Sequence, residues 1–179
     1  DDIHPDYVLT DDNVITDANS AEYLLNGIYQ YYRQREFASL RPAMFILTGT
    51  LLNSDVEGST NFANNDVRIE NNAVLNYYTV LYSIINQANS LIVQLENKRP
   101  QGLSDTRKSE ILGEAYFLRA WNYFNLVRTF GIVPVQTQMV AELSQTTPPM
   151  ATGLDQLYDL IFGDLTRADD LLEVNKDFG

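Results

Sequence analysis

The chain has no cysteine and a single histidine, His4, among its 179 residues. Without thiols there is neither a disulfide framework nor a thiolate metal site. One histidine, in a stretch without periodicity, gives no support to a histidine-based catalytic triad or a multi-histidine metal site. Basic side chains are scarce as well: 12 Lys and Arg stand against 24 Asp and Glu, a formal net charge of −12. These twelve are scattered, so the clustered positive charge that nucleic-acid binding needs is missing, and an anionic membrane surface would repel the chain. No apolar run reaches the roughly 20 residues of a bilayer-spanning helix. The longest, Ala43 to Leu52, is interrupted by Thr48, Gly49 and Thr50.

What is present is apolar content of 45%, rich in tyrosine and phenylalanine. That suffices for one core, and residues 1–179 are read as a single helical domain. Residues 1–18 mix acidic, turn and apolar residues without a period, as an extended lead-in does. Asn19 or Ser20 is a suitable N-cap for a helix whose face is Ala21, Leu24, Ile28 and Tyr31, fading near Arg35 to Ser39. Pro42 suits a helix first turn, with Ala43 to Leu52 as a short buried helix. Residues 53–72, with Gly, Ser, acids and many Asn, read as a long exposed loop.

A third helix carries the clearest stripe: Tyr78, Leu81, Ile85, Ala88, Ile92 and Leu95. Pro100 and Gly102 break it, and the short connection predicts an antiparallel hairpin with the next helix, about Thr106 to Phe130. That helix has Ile111, Leu112, Ala115, Phe117, Leu118, Ala120, Trp121, Phe124 and Val127 on nearly every side, the pattern of a helix lying inside a domain. Gly131 fits its C-terminal cap, and Pro134 forbids resumption. After an irregular stretch, a last helix from Leu154 to Leu172 presents Leu154, Leu157, Ile161, Leu165 and Ala168. The whole is all-α, and Ala120, Phe124 and Val127 fit the second helix of a tetratricopeptide pair.

Few residues carry a chemical signal. Asp55, Glu57, Asp66 and Glu70 gather near the long loop, but nothing marks one of them for the raised pKa that glycoside hydrolysis needs. Asp55, Glu57 and Gly58 lack calcium-loop spacing, so no metal and no cofactor is expected. Arg119, on a mostly buried helix, requires a carboxylate or several carbonyls to meet it. Glu114, Asn122, Asn125 and Arg128 form one stripe that bridges to neighbours or faces solvent. Tyr78, Tyr82, Phe117, Trp121 and Phe124 fall at core spacing and read as packing residues. Tyr7, Phe62 and Tyr77 stand outside the stripes. The candidate ligand-binding residues are Asn61, Phe62, Asn64, Asn65 and Arg68 of the long loop.

The stretch Glu110 to Val135, EILGEAYFLRAWNYFNLVRTFGIVPV, closely resembles the central helix of the SusD/RagB-like outer-membrane nutrient-binding lipoproteins. Glu114, Ala115, Phe117, Leu118, Arg119, Ala120, Tyr123, Phe124, Leu126, Val127, Arg128, Phe130, Gly131, Val133 and Pro134 carry the likeness, with Glu114, Arg119, Gly131 and Pro134 as its structural markers. Leu81, Tyr82, Ile85, Ala88, Asn89 and Ile92 match the preceding family helix, and the first and last helices match more loosely.

The resemblance implies a non-catalytic surface protein built on tetratricopeptide-like pairs. Such a protein binds oligosaccharide or another nutrient and delivers it to a SusC-like TonB-dependent outer-membrane barrel. It also implies a lipid anchor, absent from this chain, on a leader removed before Asp1. Family members are considerably longer, so the chain is expected to be the N-terminal part of such a protein, with an uncovered apolar face. The alternative is a tetratricopeptide-like scaffold for protein partners.

Overall fold

A computed structural model describes residues 15–33, 72–140 and 147–172. Four helices lie within them: α1 (Ala18–Tyr31), α2 (Asn72–Asn97), α3 (Asp105–Phe130) and α4 (Leu154–Leu171), and no strand occurs among the described residues. The expected short helix at Ala43 to Leu52 and the long loop, with Asn61, Phe62, Asn64, Asn65 and Arg68, lie outside the described residues. So do His4 and Tyr7.

α1 starts earlier than the Asn19 or Ser20 cap expected. Asp17 is the N-cap: its carboxylate accepts from the Ser20 N–H at 2.7 Å, while the Ser20 hydroxyl accepts from the Asp17 N–H at 3.1 Å. The reciprocal pair satisfies two amides that a helix start leaves open, and it holds the Asp17 carboxyl below its ordinary range. On either side of the cap, Ala18 donates to the Gln101 carbonyl and Gln101 to that of Thr16. The lead-in is thereby stitched to the α2–α3 turn, with Ile15 buried beneath it. Ala21, Leu25 and Ile28 form the inner face of α1, one step round from the expected Leu24. The helix ends at Tyr31, before the predicted fade.

α2 and α3 form the predicted antiparallel hairpin, since Tyr116 bonds Glu96 near the turn and Phe130 meets Tyr78 edge-on at the far end. Gly102, with φ of 75°, makes the turn, and Ser104 caps α3 by accepting from the Arg107 N–H. α3 closes at Gly131, whose φ of 75° and ψ of −127° suit glycine alone. α4 returns antiparallel to α3: Arg119 meets Asp164, whereas Gly113 lies against Leu171 and Leu172. The α3–α4 approach is close because Gly113 has no side chain, and a Cβ there would sit 2.7 Å from Leu172 Cγ. One core joins all four helices, with Leu81, Ile84, Ile85, Leu91, Ile111, Tyr123, Leu126 and Leu157 at its centre.

Three expectations about faces need correction. α3 is not covered all round: Phe117 is 45% exposed and Trp121 37%, because α1, α2 and α4 cover three sides and leave the fourth. On α4 the inward set is Leu157, Ile161, Asp164 and Ala168. Leu154, the first residue of α4, is exposed, and Leu165 turns outward beside Asp164, which takes the inward position to reach Arg119. Tyr77, expected to stand apart from the stripes, is buried in the core.

Candidate functional site: a polar clamp and an apolar flank

Arg119 is the centre of the polar interior. It is 6% exposed, and its guanidinium donates from Nε to Asp164 Oδ2 and from Nη2 to Oδ1, both at 2.7 Å. Nη1 donates to Asn89 Oδ1 at 2.9 Å. Burial alone would lower the guanidinium pKa, but the bonds and charge of Asp164 reverse that and raise it. The demand for a carboxylate is met from α4, a partner not identified from the sequence.

Asn89 passes this order onward. Its amide nitrogen donates to the carbonyls of Gln136 and Gln138 at 3.0 and 3.2 Å. One turn earlier, Asn86 donates to the Val140 carbonyl at 2.8 Å and accepts from the Val140 N–H at 2.9 Å. The Tyr123 hydroxyl accepts from the Gln136 N–H at 2.7 Å and donates to the Gln136 carbonyl at 3.0 Å. Tyr82 donates to the Pro134 carbonyl at 2.7 Å. Residues 134–140 therefore lie as a strap across α2 and α3. Its outer edge is pinned by Val135 donating to Pro149 and Ala151 to Val133. Burial pushes the Tyr123 hydroxyl up to about 12, against the lowering effect of its bond from the Gln136 N–H. For Tyr82 burial raises the pKa, and Tyr78 adds to it.

The other polar group lies on the α1–α3 seam. Arg107 donates to Glu22 at 2.5 and 2.8 Å and to Glu110 at 2.8 Å. Glu114 accepts from the Tyr29 hydroxyl at 2.7 Å. Asn122 is buried, donating to the Tyr32 hydroxyl and its own Leu118 carbonyl. Asn125 is also buried, whereas Arg128 is exposed and lies over the Phe124 ring. Of the four structural markers, Arg119 and Pro134 belong to the clamp, Glu114 joins α1 to α3, and Gly131 turns the chain into the strap. Asn86, Gln136 and Asp164 were missed as a set; the signal was a polar residue at a buried position of an apolar helix, at Asn86, Asn89 and Asp164.

The apolar flank is the second feature. Phe117, Trp121 and half-buried Phe124 share one side of α3. Because the two right-handed helices run antiparallel, the side of α4 carrying Tyr158, Phe162 and Leu165 emerges on the same side of their seam. Phe162 is 63% exposed. The side chains of this surface are five aromatic rings and Leu165. Among the described residues, no group of three His, Asp or Glu side chains is placed to hold a metal ion.

Comparison with known proteins shows that the helical fold is shared. SusD-like protein P2 of Formosa agariphila is 26% identical over 156 residues, covering 83% of this chain but 30% of that protein. The chain thus spans less than a third of that relative. A SusD superfamily structure from Bacteroides thetaiotaomicron superposes with a TM-score of 0.73 at 22% identity, over 88% of this chain and 38% of that one. A laminarin-binding SusD-like protein superposes with a TM-score of 0.71 at 23% identity, over 90% of this chain and 36% of that one. At these identities the structures establish the helical fold alone. The sequence profile of SusD-like proteins, described as starch-binding associating with outer membrane, matches residues 5–177. With nearly the whole length matched, this chain belongs to the SusD-like family.

Proposed function

We propose that this chain is the helical part of a non-catalytic, surface-exposed glycan-binding lipoprotein that delivers oligosaccharide to a TonB-dependent outer-membrane transporter. The observation that carries the reading is the family match over residues 5–177. The laminarin-binding relative supports a carbohydrate ligand for the whole protein. Asn61, Phe62, Asn64, Asn65 and Arg68 are proposed as ligand contacts, because amide, guanidinium and aromatic groups close together in sequence can bond sugar hydroxyls and stack on a ring. The apolar flank of α3 and α4 is proposed as the seat of a further helix of the same protein, as each unit of a helical array covers its neighbour.

The experiment is calorimetric titration of the full-length protein with oligosaccharides from starch, laminarin and xyloglucan, followed by chromatography of the sugar. Saturable binding with intact sugar supports the reading, and capture of an outer-membrane barrel from native membranes supports the delivery step. Shortened sugar would make the protein an enzyme. Absence of binding to any glycan, with capture of a protein partner alone, would favour the scaffold alternative.

A further inference from the structure

We infer that residues 134–140 are a resident ligand of the α2–α3 pair: Asn86, Asn89 and Tyr123 read the main chain of this strap and close that face to extended peptides from other proteins. The bonding pattern carries this. Carbonyls of residues 134, 136, 138 and 140 all turn toward the helices. That is the two-residue period of an extended strand. The side chains of Tyr82, Asn86, Asn89 and Tyr123 satisfy these carbonyls and the N–H groups of Gln136 and Val140. Peptide-binding grooves hold extended ligands in the same manner, with affinity from main-chain bonds and selectivity from alternate side chains.

In this clamp one strap side chain takes part, Gln136, whose amide donates to Asn86 Oδ1 at 3.0 Å. Gln138 points outward and is exposed.

Arg119 is the positioning residue of the clamp. A guanidinium has donors only, so the oxygen of the Asn89 amide must face it and the nitrogen must face the strap. The arrangement leaves Asn89 one orientation, already matched to two carbonyls. A covalently attached strap also competes at an effective concentration on the order of millimolar, which an ordinary peptide from solution does not reach.

The test is amide hydrogen exchange on the full-length protein. Asn86→Ala should accelerate exchange at Val140 by about tenfold, the loss of one hydrogen bond, with α3 amides unchanged. Tyr123→Phe deletes only a hydroxyl and should do the same at Gln136, which keeps the test available should Asn86→Ala fail to fold. Thr137→Ala, Gln138→Ala and Met139→Ala should leave both amides protected. A synthetic peptide of residues 133–140 at about 0.02 mM, far below that effective concentration, should leave exchange throughout α2 unchanged. Wild-type protection in Tyr123→Phe and in a folded Asn86→Ala would overturn the clamp. Loss of protection in the three strap variants would overturn main-chain reading. Altered α2 exchange with free peptide would show the face to be open.

Discussion

Replacing Asp164 by Asn tests whether the buried ion pair organises the interior. The carboxylate takes two 2.7 Å bonds from Arg119, and both residues are almost wholly buried, Asp164 at 4% exposure. Asn keeps the shape but presents an NH₂ group to a guanidinium that can only donate, so one bond becomes a donor–donor contact and the cation is left without its counter-charge. Stranding a buried charge in this way costs about 3–5 kcal/mol. For a chain of this size each kcal/mol lowers Tm by about 2–4 °C, so the variant should melt about 6–20 °C below wild type in circular dichroism. Arg119→Met with Asp164→Leu removes both charges and should recover most of the loss. It should stay about 1–3 kcal/mol short, because the Asn89 oxygen then lacks its donor. A Tm within about 2 °C of wild type for Asp164→Asn, or a double variant as damaged as the sum of the singles, would refute the reasoning.

Gly131→Ala should cost about 1–3 kcal/mol in urea denaturation, because a φ of 75° with ψ of −127° is strained for any side chain although no atom lies near the position. At alkaline pH, Tyr123 and Tyr116 titrate near 12 in the fold, raised chiefly by burial, against about 10 when unfolded. A raised tyrosine pKa gives stability that is full below pH ~10 and is lost as pH rises toward ~12, at about 1.4 kcal/mol per unit for each group. Tyrosinate absorbance should therefore rise together with loss of helix, and titration near 10 in an intact fold would contradict this. Phe162→Ser should change the stability of the 179-residue chain by less than about 0.5 kcal/mol, since the ring is exposed there. In the full-length protein it should cost about 1.5–3 kcal/mol if a further helix covers the flank.

The hairpin of α2 and α3 was legible because its signals are local: an apolar period, a Pro100–Gly102 break and a Gly131 stop. The identity of the Arg119 partner was not, since Asp164 lies 45 positions away and hydropathy assigns an acid to the surface. That one residue also misled the reading of α4, whose inward face turns to include it. Phe117 and Trp121 were read as core because an aromatic at helical spacing looks the same whether its side of the helix is covered or open. The Asp17 cap was missed in favour of Asn19 and Ser20 because several good capping residues stand close together, and only the reciprocal bond with Ser20 separates them. Asn61, Phe62, Asn64, Asn65 and Arg68 are proposed on residue type and lie outside the described residues.

The polar chain from Asp164 through Arg119 and Asn89 to Gln136 couples events that would otherwise be separate. Fraying of α4 withdraws the carboxylate, which strands the guanidinium and frees the Asn89 amide to rotate away from the strap. Strap release and α4 detachment should therefore form one cooperative unit with a shared opening free energy, and not two independent local fluctuations. Any partner that presses on the outer face of α4 would then be felt at the strap.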